Sequence, residues 1–113
     1  MKRIAVKIGA AVLSGPNGIN HEVIANLVED VSDLMSKDYQ VVIISSGAVI
    51  LGRSLSQFTD PKFVVNPQTK YDSNLLREQI LASVGQPKLM GLYNEGFGKH
   101  NLSCAQLLTT RSD

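Results

Sequence analysis

A single cysteine, Cys104, leaves this chain without an intrachain disulfide framework, and a reducing compartment is the natural setting for such a sequence. Charge of one sign is not in excess either. Eleven basic and ten acidic residues are interleaved along the chain, for a net charge of +1. That balance offers no electrostatic footprint for nucleic acid or an anionic membrane. Long apolar runs are also missing: Val41 to Ile44 is far shorter than the roughly 20 residues of a membrane span. Met1-Lys2-Arg3 looks like the charged start of an export signal, but Lys7 and Gly9 interrupt the following apolar run too early. No Gly-Lys-Ser/Thr phosphate loop, internal repeat or low-complexity tract occurs. These absences predict a soluble, cytoplasmic chain whose partners include neither membrane nor nucleic acid.

What is present suits a packed domain. Hydrophobic residues make up 43% of the chain and charged ones 19%, which is ordinary for a globular protein. Its 113 residues allow one domain at most. Ile4 to Ile8 is a β-branched run ending in Gly9 and reads as a buried strand. Ala10 to Asn20, with Gly15-Pro16-Asn17-Gly18, reads as a turn-rich loop. Asn20 is placed to cap a helix in which Val23, Ile24, Leu27, Val28, Val31, Leu34 and Met35 form one apolar face. Val41 to Ile44 reads as a second strand, covered on both sides. A helix follows from Gly47 or Ala48 towards Leu55, then a polar loop from about Gln57 to Asp72. A long helix from Ser73 or Asn74 should kink at Pro87, and Leu102 to Thr109 reads as a third strand. The order β, α, β, α, α, β predicts an α/β fold with a parallel sheet flanked by helices.

In such sheets ligands bind at the carboxyl ends of the strands, and two ends here carry suggestive residues. Lys7 and Gly9 stand together at the exit of the first. The lysine supplies positive charge, and the glycine lets backbone N–H groups approach a phosphate. The same pair also reads as a lysine snorkelling into water beside an incidental turn glycine. Ser45-Ser46-Gly47-Ala48 ends the second strand, where hydroxyls and free N–H groups at a helix start favour a carboxylate or phosphate. A plain serine cap fits that segment too. A hydrolase elbow does not, because no glycine lies two residues before Ser46. His21 and His100 lack zinc-ligand spacing. Cys104 reads as a packed thiol, and Tyr93 and Phe97 as core or subunit contacts.

Several segments together resemble one family. Ala82-Ser83-Val84-Gly85-Gln86 is followed by Leu89-Met90, Tyr93 and Phe97, then by Ala105-Gln106-Leu107-Leu108 and Thr110-Arg111. With Val6-Lys7-Ile8-Gly9 and Ile43-Ile44-Ser45-Ser46-Gly47-Ala48 upstream, this order resembles glutamate 5-kinase, of the amino acid kinase fold. The resemblance implies a phosphotransferase that uses ATP and Mg2+ to phosphorylate the side-chain carboxylate of L-glutamate, the first step of proline biosynthesis. It also implies a homo-oligomer. Lys7, Gly9 and Ala10 would lie along the ATP phosphates, with Lys7 catalytic, and Ser46, Gly47 and Ala48 would contact glutamate.

The resemblance covers residues 1–113 as the N-terminal part of a longer kinase domain, with no second domain. The family's other glutamate ligands, its second catalytic lysine and most of its adenine pocket would lie beyond Asp113. These 113 residues alone are therefore expected to be inactive. Ala10-Ala11 departs from the hydroxyl residues usual after Gly9 and leaves only backbone contacts there. Two other readings compete. One is a degenerate relative acting as a binding or assembly module; the other is the kinase part of a bifunctional pyrroline-5-carboxylate synthase.

Overall fold

The computed structural model describes residues 2–16, 18–54 and 73–107. The loop expected at Gln57 to Asp72 lies outside them. In chain order the elements are β1 (Lys2–Ile8), α1 (Ala10–Leu13), β2 (Ser14–Gly15), β3 (Gly18–Ile19), α2 (His21–Ser36), β4 (Tyr39–Ser45), α3 (Ala48–Ser54) and α4 (Ser73–Gly98).

The architecture is α/β. β1 and β4 pair in parallel, in register from Lys2 opposite Tyr39 to Ile8 opposite Ser45. Side chains alternate across a strand, so one face carries Ile4, Val6, Ile8, Val41, Ile43 and Ser45. Ile8, Val41 and Ile43 pack there against a core built from α1, β3, α2 and α4: Leu13, Ile19, Ile24, Val28, Val31, Leu89, Tyr93 and Phe97.

The opposite face differs from expectation. The unbroken apolar run Val41 to Ile44 predicts cover on both sides, yet Val42 and Ile44 are 52% and 55% exposed. Among the described residues, the helices that touch this strand pair do so on the Ile43 side, and Ala5, Val42 and Ile44 are exposed.

α2 forms as the sequence dictates. Asn20 has extended backbone angles, and its side-chain oxygen accepts from the backbone N–H of Glu22 and Val23, at 3.1 and 3.3 Å. Those amides would otherwise lack partners in the first helical turn. Ile24, Val28 and Val31 are buried on one face, while Glu29, Asp30, Asp33 and Lys37 stay in water. Met35, expected on the apolar face, is 41% exposed in the last turn of the helix. Asn20→Ala should lower stability by about 1 kcal/mol, as loss of a helix cap usually does. Urea unfolding of the variant would measure it, and an unchanged midpoint would remove the cap from the account.

Two further expectations are corrected. The stretch Ala10 to Asn20, expected as a loop, contains α1 and the paired strands β2 and β3, which the buried Leu13 and Ile19 seat on the core. α4 continues as one helix through Pro87, and the helical pattern resumes beyond the proline as the sequence predicts. Leu81, Leu89, Tyr93 and Phe97, on both sides of the proline, are all buried, while Pro87 itself faces solvent. Finally, Leu102 to Leu107 is not a strand, and the rest of that expected element lies outside the described residues. Its side chains alternate, with Leu102 and Cys104 against the core, but it joins no ladder and Leu107 is 81% exposed.

Candidate active site at two parallel strand exits

Parallel pairing brings the carboxyl ends of β1 and β4 side by side. Ile8 and Ser45 are the last partners in register, and the Ser46 N–H then donates to the Ile8 carbonyl at 2.9 Å. The two segments singled out in the sequence, Lys7-Ile8-Gly9-Ala10 and Ser46-Gly47-Ala48, are thereby neighbours.

On the first segment, Lys7 is exposed on the open face of the sheet, in register with Ile44. Its ammonium has no salt-bridge partner among the described residues. Gly9 is the cap of α1, with φ −81° and ψ 162°, and a Cβ built there would meet nothing within 4 Å. Its backbone is open to approach, as contact between main chain and a phosphate requires. Ala10 opens α1 and is exposed, offering a main-chain contact but no hydroxyl.

On the second segment, Ser46 is exposed while Gly47 is buried beneath it. Gly47 has φ +116°, a conformation that side-chain-bearing residues rarely adopt. A Cβ there would also press on the tips of Leu13 at 3.1 Å, Ile19 at 3.3 Å and Leu89 at 3.6 Å. This glycine therefore turns the chain sharply from strand to helix and seats the turn on the core. Ala48 begins α3 and is half-buried. The sequence suggested free amides throughout this turn, but one of them is taken. The Ser46 N–H is spent on Ile8, which leaves the Ser46 hydroxyl and the first amides of α3 as donors.

One polar contact beneath the turn has no counterpart in the sequence pattern. Ser45 Oγ donates to the Ser46 carbonyl at 2.8 Å and lies 2.7 Å from the Tyr93 hydroxyl. Burial raises the Tyr93 phenol above its ordinary value, outweighing the opposite effect of Ser45, so it stays protonated at neutral pH. The available hint was a hydroxyl-bearing aromatic within an apolar helical stripe, where a buried Tyr usually needs a partner. Tyr93 and Phe97 are core residues as expected, stacked with ring centres 6.4 Å apart. Cys104 is a packed thiol: it donates to Asn94 Oδ1 at 3.0 Å, and burial pushes its pKa up, away from nucleophilic use.

Elsewhere, a shallow depression is lined by Glu29, Asp30, Ser32, Asp33 and His100. It lies on the solvent side of α2, away from the strand exits, and its carboxylates suit neither phosphates nor an amino-acid carboxylate. No helix among the described residues is long and apolar enough to cross a membrane.

Residues 2–113 match the amino acid kinase family. The chain belongs to that family. Among its relatives are glutamate 5-kinases of Syntrophus aciditrophicus, 37% identical over 113 residues, and Geobacter metallireducens, 41% identical over 115. A glutamate 5-kinase of Thermus thermophilus is 37% identical over 113 residues. These alignments take in 99–100% of this chain but only 27–28% of each relative. This amino acid kinase chain thus spans little more than a quarter of the relatives it matches, and both strand exits fall within that part.

Proposed function

We propose that, joined to the remainder of a kinase domain of the relatives' length, these residues serve ATP-dependent phosphorylation of the L-glutamate side-chain carboxylate to glutamyl 5-phosphate. The observation that carries this reading is the hydrogen bond from Ser46 N–H to the Ile8 carbonyl. It sets a lysine–glycine segment suited to phosphate directly beside a serine–glycine segment suited to a carboxylate. A kinase with a carboxylate acceptor needs these two subsites at contact distance. The glutamate 5-kinase relatives support glutamate as the acceptor.

The chemistry asks little beyond placement. The glutamate side chain has an ordinary pKa of about 4.3, so it is ionised at neutral pH and needs no general base. Two anions must be held in line while charge spreads over the phosphoryl oxygens. In this proposal Lys7 neutralises that charge, the Gly9 and Ala10 backbone lies along the phosphates, and the Ser46 hydroxyl donates to glutamate. Gly47 and Ala48 shape the turn under the amino acid. ATP supplies the phosphoryl group; magnesium would travel with its phosphates, as it commonly does with few protein ligands.

The test is steady-state kinetics on a full-length kinase that carries these residues. Ser46→Ala should raise KM for glutamate about 10- to 100-fold, the range for one hydrogen bond to a charged group. KM for ATP should hardly move. Equal KM values for glutamate in the variant and the parent would take Ser46 out of the site and remove the main support for this reading.

A further inference from the structure

A hydroxyl carries one proton, and that fixes the direction of the chain of contacts beneath the turn. The Ser46 carbonyl can only accept, so the Ser45 hydroxyl proton points to it across 2.8 Å. Ser45 Oγ then has only lone pairs to offer the Tyr93 hydroxyl at 2.7 Å, and the tyrosine must be the donor. Proton order therefore runs from Tyr93 to Ser45 to the Ser46 carbonyl. Ser46 is held at both ends of its backbone, since its N–H also donates to Ile8 at 2.9 Å.

Tyr93 is well placed to anchor something. Its side chain is 5% exposed, stacked on Phe97 and carried by the long helix α4. Leu89, one turn earlier on α4, meets the same strand exit beneath Gly47. α4 thus supports the turn at two points, an apolar one under Gly47 and a polar one under Ser45.

We propose that Tyr93 is a positioning residue for the amino-acid subsite: its hydroxyl, acting through Ser45, fixes the Ser46 peptide and so aims the exposed Ser46 hydroxyl. This inference rests on the reading of Ser46 as a glutamate contact. A phenol that merely satisfied its own burial would contribute to stability alone.

The experiment uses a full-length kinase carrying these residues, with Tyr93→Phe, Ser45→Ala, the double variant, Ser46→Ala and Phe97→Leu as a packing control. Tyr93→Phe should raise KM for glutamate about three- to tenfold, in keeping with one lost neutral hydrogen bond, and leave KM for ATP unchanged. The double variant should be no worse than Ser45→Ala, because both changes cut the same chain of contacts. Phe97→Leu should lower the thermal midpoint without moving KM for glutamate. Independently of turnover, Tyr93→Phe should speed hydrogen exchange at the Ser46 amide relative to that of Ile44, which faces β1 from the same strand. Tyr93→Phe that behaves like Phe97→Leu, while Ser46→Ala still raises KM, overturns the positioning role and leaves the kinase reading intact. Ser46→Ala without effect removes the substrate reading instead; unchanged Ser46 exchange in Tyr93→Phe then overturns the anchoring as well.

Discussion

Gly85→Ala should destabilise the protein by at least about 3 kcal/mol, although alanine is the better helix former. In an exposed helix interior the same change gains about 0.5–1 kcal/mol. Geometry reverses the sign. A Cβ on Gly85 would collide with the Ala48 carbonyl oxygen and come within 2.7 Å of the Ala48 carbonyl carbon and the Gly52 nitrogen. From the other side, a Cβ on Gly52 would strike the Leu81 carbonyl oxygen and lie 2.7 and 2.9 Å from the Leu81 carbonyl carbon and Cα. α3 and α4 therefore cross backbone to backbone, and no rotamer change relieves the clash. Ordinary overpacking costs about 1–3 kcal/mol where side chains can yield; here only the helices can move. Total stability is usually about 5–15 kcal/mol, so the variant should lose a large share of it. Gly91 is the internal control. It lies in the same helix, is exposed, and has nothing within 4 Å of a built Cβ. Gly91→Ala should gain about 0.5–1 kcal/mol. Urea denaturation of both variants gives the comparison, and a Gly85→Ala midpoint that rises with that of Gly91→Ala would mean the helices do not cross this closely.

Lys7→Ala should lower kcat about 100- to 1,000-fold in a full-length kinase carrying these residues, the range for removing one fixed charge-stabilising donor. The charge it would neutralise is greatest in the transition state, so kcat should fall far more than KM for glutamate rises. Stability should stay within about 0.5 kcal/mol, since Lys7 is exposed and has no salt-bridge partner among the described residues. That separation makes the variant informative: a lost fold cannot stand in for lost chemistry. Parent-like turnover would return Lys7 to the reading of a lysine snorkelling into water.

Patterns local in sequence were legible. The β-branched run of β1, the Asn20 cap and the Ile24, Val28 and Val31 stripe each depend on residues within a turn or two of one another. The two candidate segments were also visible, because Gly9 and Gly47 punctuate the strand ends. Features set by long-range packing were not. Nothing in Val41 to Ile44 tells which face the described residues leave exposed, since a strand's own residues do not count the layers laid against it. Pro87 is a helix breaker by local rules, yet buried Leu81 and Leu89 hold the helix on either side of it. The Ser45–Tyr93 hydrogen bond joins residues far apart in the chain and leaves no spacing to read. Val84-Gly85-Gln86 carries a family resemblance in the sequence; the helix crossing supplies a physical reason for its glycine.

The link between the two strand exits is made entirely of main chain. Because the Ser46 N–H and the Ile8 carbonyl are present whatever side chains stand there, point substitutions at either position cannot delete the contact, with proline at position 46 the exception. Separation between the two subsites is thus a property inherited with the backbone, while the chemistry displayed at each is free to drift. Under the proposed kinase reading, a lineage could exchange Ser46 for another side chain, and with it the acceptor, without changing the distance between the two strand exits.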